Sequence, residues 1–296
     1  MFVHSEGRPK RPSGWRGDGN PRLSPTCSWD LGAVYPFRVL VAFPAVVDGD
    51  AIRVSATTYV TYKKCPGQAN ARLQGVFGPD SRASFQGSLA HRMFSRHLTA
   101  GPIASDDFVQ ACREEIGGSA LNNKLGPLEI KPSILASVIE EVRGLYERFT
   151  RLPSEGFEGS EVSIKKEPVA GVELVGSVDA VYREELGGHR LVDWKTGDLG
   201  DPEDQLFFYA LLWALEKDEV PAYVEAVSVR TGERYRTVPT TADVNRVAGE
   251  VGTMVDDLRR AWSAGTEPVR HGGPWCRYCP LLEDCAEGKA AGALLD

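Results

Sequence analysis

The stretch from Glu161 to Gly197, EVSIKKEPVAGVELVGSVDAVYREELGGHRLVDWKTG, leaves the chain few folds to choose from. Pro168 and Gly171 mark one reversal, and Gly187-Gly188 a second. The residues between them alternate, or are β-branched and apolar, as half-buried strands require. Three antiparallel strands in a meander follow. If Val181 faces Leu191 across the second turn, Asp179 faces Asp193. A first turn centred at Ala170 puts Glu161 opposite Asp179. Side chains opposed in this way lie roughly 4.5–5.5 Å apart, and like charges so placed destabilise a sheet. Lys195 shares a face with Asp193 because strand side chains alternate with period two. Trp194 and Val192 then turn to a core on the other side. Two readings stay open. A divalent cation bound by carboxylate oxygens would turn the crowding into a site; otherwise the face is solvated, with Lys195 as its counter-charge.

The flanks are read in the same way. Residues 34–54, with VLVAF before Asp48-Gly49-Asp50, look like strand material. Ser55 and Thr57 can cap a helix carrying Tyr59 and Tyr62 to Cys65-Pro66. A second helix is expected from Ser81 to Leu98, with Gly87 and His91 one turn apart on one face. The glycine admits close approach of another backbone. Neutral imidazole beside carboxylates suits a Mn²⁺-like ion, whereas a solitary helical histidine is most often structural. Residues 105–151 read as two more helices separated by LNNKLGP, with Pro132 in the first turn of the second. After the meander, Asp201-Pro202 reads as an N-cap and first-turn pair for a helix that carries Gln205 and Tyr209 on one face. Two strands near 221–230 and 233–239 and a helix from about Ala242 to Ala264 follow. A helix that returns the chain to the same sheet makes the arrangement mixed α/β.

Residues 1–30 are rich in Gly, Pro, Ser and Arg and are expected to form a loosely attached leader. The remaining residues, 31–296, suffice for one large domain: a helical part at about 55–151, a core at about 157–240 and a terminal segment at about 265–296. A net charge of −7 argues against a passive nucleic-acid coat. It does not argue against an enzyme that meets phosphate through local cations. No apolar run reaches membrane-spanning length, and the N-terminus lacks the apolar core of a signal peptide. A cytoplasmic protein with no membrane partner is expected. In that compartment the six cysteines point to metal ligation rather than disulfides. Cys276, Cys279 and Cys285 are spaced C-x2-C-x5-C and form a strong ligand set. A fourth ligand could come from Cys65, Cys27 or Cys112. Thiolate chemistry allows either zinc or an iron–sulfur cluster.

Taken in order, these residues resemble the RecB-like branch of the PD-(D/E)XK nuclease superfamily, in particular its iron–sulfur members: the nuclease domain of AddB and the CRISPR-associated RecB-like exonucleases. The resemblance spans roughly residues 55–286. It rests on Gly87 to His91 as G-x3-H, Gly176 to Asp179 as G-x-x-D and Asp193-Trp194-Lys195 as D/E-x-K. Gln205 to Tyr209 matches Q-x3-Y, and Cys65, Cys276, Cys279 and Cys285 match the cluster cysteines. It implies a restriction-endonuclease-like fold, a mixed central sheet flanked by helices, with a [4Fe-4S] cluster joining the N- and C-terminal segments. It also implies Mg²⁺ or Mn²⁺ held by His91, Asp179, Asp193 and the Trp194 carbonyl. Glu161 would be a further acid, Lys195 the group that orients water and stabilises charge, and Gln205 and Tyr209 a substrate-side pair. The implied activity is that of a DNA exonuclease on single-stranded or frayed ends, in recombinational repair or CRISPR adaptation. No G-x4-G-K-[ST] loop is present, so a partner such as a helicase would supply translocation. The alternative is a catalytically idle module of the same fold that holds DNA or a helicase.

Overall fold

In the computed structural model, residues 41–295 are described. The expected leader, Cys27 and the start of the strand expected at 34 lie outside these residues. The six strands are β1 (Ile52–Ser55), β2 (Phe157–Val169), β3 (Val172–Arg183), β4 (His189–Lys195), β5 (Tyr223–Ser228) and β6 (Arg234–Thr237). The helices are α1 (Ala56–Lys64), α2 (Pro66–Leu73), α3 (Arg82–Ala100), α4 (Phe108–Gly117), α5 (Pro132–Phe149), α6 (Glu203–Lys217), α7 (Thr241–Ser263) and α8 (Ala286–Leu295). One mixed sheet runs β1-β3-β4-β5-β6, with β2 on the other side of β3. β1 with β3 and β4 with β5 are parallel; the remaining pairs are antiparallel.

Helices cover both faces, so the chain forms three layers. Tyr59 of α1, Leu206 to Ala214 of α6 and the apolar stripe Val244, Val247, Val251, Val255 and Leu258 of α7 pack against Leu174, Val178 and Leu191. On the opposite face, Phe85, Leu89 and Phe94 of α3, Cys112 of α4 and Val142 and Phe149 of α5 pack against Ala180, Val192 and Trp194. Cys112 is thus a core side chain. The rings of Phe149 and Trp194 meet edge to face at 5.2 Å.

Two stretches depart from the sequence expectation. Residues 41–51 make no strand, because side chains of α7 take the backbone groups that a ladder would use. Asn245 Oδ1 accepts from Ala42 N–H at 2.9 Å and Asp256 Oδ1 from Val47 N–H at 2.7 Å. The buried Arg259 guanidinium donates to the carbonyls of Val47, Asp50 and Gly171, the last of these in the β2–β3 turn. Helix α6 starts one residue late. Pro202 occupies the cap position, and the Asp201 carboxylate reaches the Glu203 N–H at 3.4 Å. Of the two residues expected to cap α1, Ser55 does so, and Ser81, where the second helix is expected to begin, is the N-cap of α3. No helix among the described residues is long and apolar enough to cross a membrane.

Candidate active site

The register of the meander is the one the turns dictate. Val181 pairs with Leu191 and Ala180 with Val192; Ser160 pairs with Ala180 and Val162 with Val178. The next pairs in these two ladders are Asp179 with Asp193 and Glu161 with Asp179, and there the ladders open. β4 pairs with β3 only as far as Ala180, while β1 takes the same edge of β3 from Val172 to Val175. Residues 176–179 therefore lie at a fork between two strands that share one edge.

The alternation of side chains shifts by one at this point. Val178 belongs to the core on the α6 side, yet Ala180 belongs to the core on the α3 side. On β2, Ser160 hydrogen-bonds Ser95 of α3, while Val162 packs toward α6. Between them Glu161 has φ +50°, a left-handed conformation that costs a non-glycine residue energy. The shift turns Glu161 and Asp179 away from both cores and into the fork.

The fork is closed by hydrogen bonds. The Trp194 N–H, left without a strand partner, donates to Asp179 Oδ2 at 2.7 Å. His91 Nδ1 of α3 lies 3.3 Å from Asp179 Oδ1. Ser177 Oγ donates to Glu161 Oε2 at 3.2 Å. From the other layer, Gln205 of α6 donates through Nε2 to Asp193 Oδ1 at 2.8 Å and to the Tyr209 hydroxyl at 3.0 Å. Its Oε1 accepts from Lys195 Nζ at 2.7 Å. A lysine that only donates and a carboxylate that only accepts leave the amide a single orientation. Gly176 lets α6 approach this closely: a Cβ there would stand 2.6 Å from Leu212 Cδ1 and 3.4 Å from the Tyr209 ring. Gly87 does the same for α3 against Thr196, whose Oγ1 lies 3.1 Å from where a Cβ would be.

The charges are unbalanced without a cation. Burial, reinforced by the Asp179 charge and opposed by Lys195, pushes the Asp193 carboxyl up to about 6. Desolvation and Asp179 likewise hold Glu161 above the usual glutamate range, although its side chain reaches solvent. Burial alone would lower the His91 pKa, but the charges of Asp179, Asp193 and Glu161 outweigh it and raise it. Burial pushes the Tyr209 phenol up. Lys195 Nζ stands 2.8 Å from the buried Asp193 Oδ2 as its charge partner, and no further donor reaches this oxygen among the described residues.

These donors fit a hard divalent ion. Among the described residues, only His91, Glu161 and Asp179 bring three ligand atoms within 4.8 Å of one another. Asp193, paired through Oδ2 with Lys195, interacts electrostatically with His91 and Asp179. Oxygen donors with one imidazole suit Mg²⁺ or Mn²⁺ better than a thiophilic metal. The site opens into a groove of about 980 Å³ that also contacts Arg92, Arg96 and Lys124. Ser177 was not among the candidates from sequence, although its place two residues before Asp179 on the same strand was a signal for it.

Cys65 lies between α1 and α2, and Cys276, Cys279 and Cys285 lie between α7 and α8. Cys65 Sγ accepts from His271 N–H at 3.4 Å, Cys276 Sγ from Gly273 N–H at 3.4 Å and Cys285 Sγ from Gly288 N–H at 3.3 Å. A Cβ at Gly288 would sit 3.4 Å from Cys285 Sγ and 3.5 Å from Cys276 Sγ. Burial and the neighbouring sulfurs hold the Cys279 thiol above its usual range. No three of these sulfurs come within 4.8 Å of one another, so they are less tightly gathered than the acidic site.

A sequence profile of the PD-(D/E)XK nuclease superfamily matches residues 53–286. No curated protein matches the chain. Among the solved structures that match is a candidate exonuclease from Eubacterium rectale, 12% identical, with a TM-score of 0.47, covering 74% of this chain and 84% of that one. Another is LHK-Exo in complex with dAMP, 12% identical, with a TM-score of 0.30, covering 62% of this chain and 98% of that one.

Proposed function

The chain belongs to the PD-(D/E)XK nuclease superfamily, and we propose that it is a Mg²⁺- or Mn²⁺-dependent deoxyribonuclease that trims single-stranded or frayed DNA ends. The observation that carries this reading is the fork itself. His91, Glu161 and Asp179 offer ligand atoms within 4.8 Å of one another, and the Asp193 carboxylate, ion-paired to the Lys195 ammonium, belongs to the same charged cluster. His91, Asp179, Asp193 and Glu161 would hold the ion, and the Trp194 carbonyl is a further candidate ligand. When bound, the ion polarises the scissile phosphate and lowers the pKa of a bound water to a range useful at neutral pH.

The protein's own groups do the rest. Gln205 holds the Lys195 ammonium and the Asp193 carboxylate in fixed relation, with no rearrangement needed as charge develops. The ammonium supplies positive charge where negative charge grows on the phosphoryl oxygens, in a partly water-excluded setting that strengthens it. Asp179 holds the β4 backbone through Trp194 and so positions the residues on either side of it. Gln205 and Tyr209 sit between Lys195 and the α6 core. That placement suits positioning of Lys195 as well as contact with substrate. The groove beside His91 offers Arg92, Arg96 and Lys124 to a phosphate backbone.

The second part of the proposal is a cysteine-ligated [4Fe-4S] cluster on Cys65, Cys276, Cys279 and Cys285, with zinc as the rival occupant. Three backbone N–H groups directed at three sulfurs support bound thiolates, whose charge such donors stabilise. A cluster there would close a loop of roughly 210 residues and add its binding energy to folding. Recombinational repair and CRISPR adaptation are the roles that suit such an enzyme, with a helicase or adaptation protein as partner. Cleavage of 5′- and 3′-labelled single- and double-stranded DNA with Mn²⁺, by the wild type and by Asp193→Ala and Lys195→Ala, tests the nuclease. Equal cleavage by all three proteins would remove the site assignment.

A further inference from the structure

The face of the sheet beyond the fork is not used by the chemistry described so far. Past Glu161 and Asp179 the shifted alternation turns Ser163, Lys165 and Ser177 to one side, where they line a hollow of about 330 Å³ with Arg53 and Ser55 of β1. Arg53, Ser55 and Val175 also line a second hollow of about 460 Å³, so the two adjoin one another on these residues. The near end touches the candidate metal site, because Ser177 donates to Glu161. At the far end stand Arg72, Phe77 and Trp262.

Charge at these residues runs against that of the chain as a whole. The whole chain carries 41 acidic residues against 34 lysines and arginines. Among the described residues no carboxylate lines either hollow, whereas Arg53, Arg72 and Lys165 do. Glu173, just outside, pairs with Arg53 and Lys165 and holds them in place. Phe77 is 60% exposed, and the Arg72 guanidinium lies over its ring at 5.2 Å from the centroid. Trp262 is 38% exposed. An exposed aromatic ring braced by arginine, at the end of a cationic, hydroxyl-lined path, has the composition of a platform for a single nucleic-acid strand. Bases stack on the ring while cations follow the phosphates. An apolar protein partner would not need the cations, and a duplex would not offer free base faces.

We infer that this path carries single-stranded DNA between the metal site and Phe77, which stacks against a base while Arg72 and Arg53 contact phosphates. The inference rests on the nuclease reading and adds to it the strand's course and its anchor. It fits a chain that is acidic overall and still holds DNA, since the contacts come from local groups of cations rather than from net charge.

The test is fluorescence anisotropy of a labelled long oligothymidine, with chelator present so that no strand is cut. Phe77→Ala should bind about tenfold more weakly, the loss expected for one stacked base, and Phe77→Trp should restore binding. Arg72→Ala should reduce the slope of log K against log salt by about 0.7, the share of one phosphate contact. Leu186→Ala removes a fully exposed apolar side chain from the β3–β4 turn, away from both hollows, and should change nothing. Wild-type affinity in Phe77→Ala overturns the inference, whatever partner the ring then serves. If Asp193→Ala has lost cleavage in the same preparation, only the strand's course is wrong. If Asp193→Ala cleaves like the wild type, the nuclease site itself is misassigned.

Discussion

The fork and the cysteine segments both carry candidate ligands, and they are built in different ways. At the fork, Glu161, Asp179 and Asp193 come from three neighbouring strands joined by short turns; the β2–β3 ladder flanks Glu161 and Asp179 on both sides, and the β3–β4 ladder ends one pair before Asp179 and Asp193. The acids repel, so hydrogen bonds from Trp194, Gln205 and Ser177 and the nearby His91 and Lys195 are needed to hold them. Cys65 and the other three cysteines come from opposite ends of the domain. Those ends meet through a few backbone contacts, such as Gly67 N–H to the Val269 carbonyl at 2.9 Å. The fork is a preformed site whose fold does not need the ion. The cysteine segments form a seam for which a bound group would act as the fastener. Chemistry should therefore depend on the first and stability on the second.

The sharpest break of that contrast is at the fork. Asp193→Ala and Lys195→Ala should each lower the rate of Mn²⁺-supported cleavage of end-labelled DNA by about 10²–10³-fold or more, the usual cost of removing a transition-state charge partner. Both should unfold cooperatively, close to the wild type. Variants that failed to fold would make the fork structural instead.

At the cysteines the expected loss is of another kind. Cys65→Ser and Cys285→Ser should lose bound metal and several kcal/mol of stability, because binding energy is also folding energy. Protein purified without oxygen should be brown, with broad absorbance near roughly 400 nm. The two variants should be colourless, while Cys112→Ser, in the core between α4 and α5, should keep the colour. A colourless wild type holding one zinc would replace the cluster but keep the seam. Equal melting of wild type and Cys65→Ser would remove the seam.

Much of this contrast can be read in the sequence, for reasons that differ between the two regions. The register of β2, β3 and β4 follows from Pro168, Gly171 and Gly187-Gly188, because a short turn leaves strands little freedom to slip. Which acids oppose one another is thus a local property. The opening of the ladder at Glu161 and Asp179 is not local. It depends on β1 taking the edge of β3 that β4 leaves, a contact between residues more than a hundred positions apart. Alternation alone puts Asp179 and Asp193 side by side; the structure instead spends the Asp179 carboxylate on the Trp194 N–H. The strand expected at 34–54 shrinks to four residues in its described part for a similar reason. The partners of Val47 and Asp50 are on α7, about two hundred residues later. Spacing made three cysteines candidate ligands, but it does not set how close their sulfurs come, and no three of them lie within 4.8 Å of one another.

A smaller effect separates positioning from binding within the fork. Gln205→Ala should reduce kcat by tenfold to a hundredfold, the value of hydrogen bonds to charged groups, because Lys195 and Asp193 lose their common brace. A residue that only holds Lys195 should leave KM unchanged, and Gln205→Glu should not rescue it, since a carboxylate cannot donate to Asp193. A rise in KM with kcat unchanged would move Gln205 to the substrate side.

The smallest expected effect tests whether the fork is strained for its task. The Asp193 carboxyl has a folded-state pKa of about 6 against an ordinary value of 3.8. Between these values the folded chain binds more protons than the unfolded one, so this group's contribution to stability falls as pH rises through that window. Metal-free wild type should therefore lose stability from about pH 4 to pH 6 in comparison with Asp193→Asn, which cannot ionise there. Above pH 6 the variant should be the more stable by about 1 kcal/mol once the lost pairing with Lys195 is subtracted, or about 2–4 °C in melting temperature. Adding Mg²⁺ or Mn²⁺ should raise the melting temperature of the wild type by mass action and leave Asp193→Asn where it was, which reverses the order. If Asp193→Asn is the less stable protein at every pH without metal, the carboxylate is satisfied by Lys195 alone and the fork does not store the repulsion that an ion would relieve.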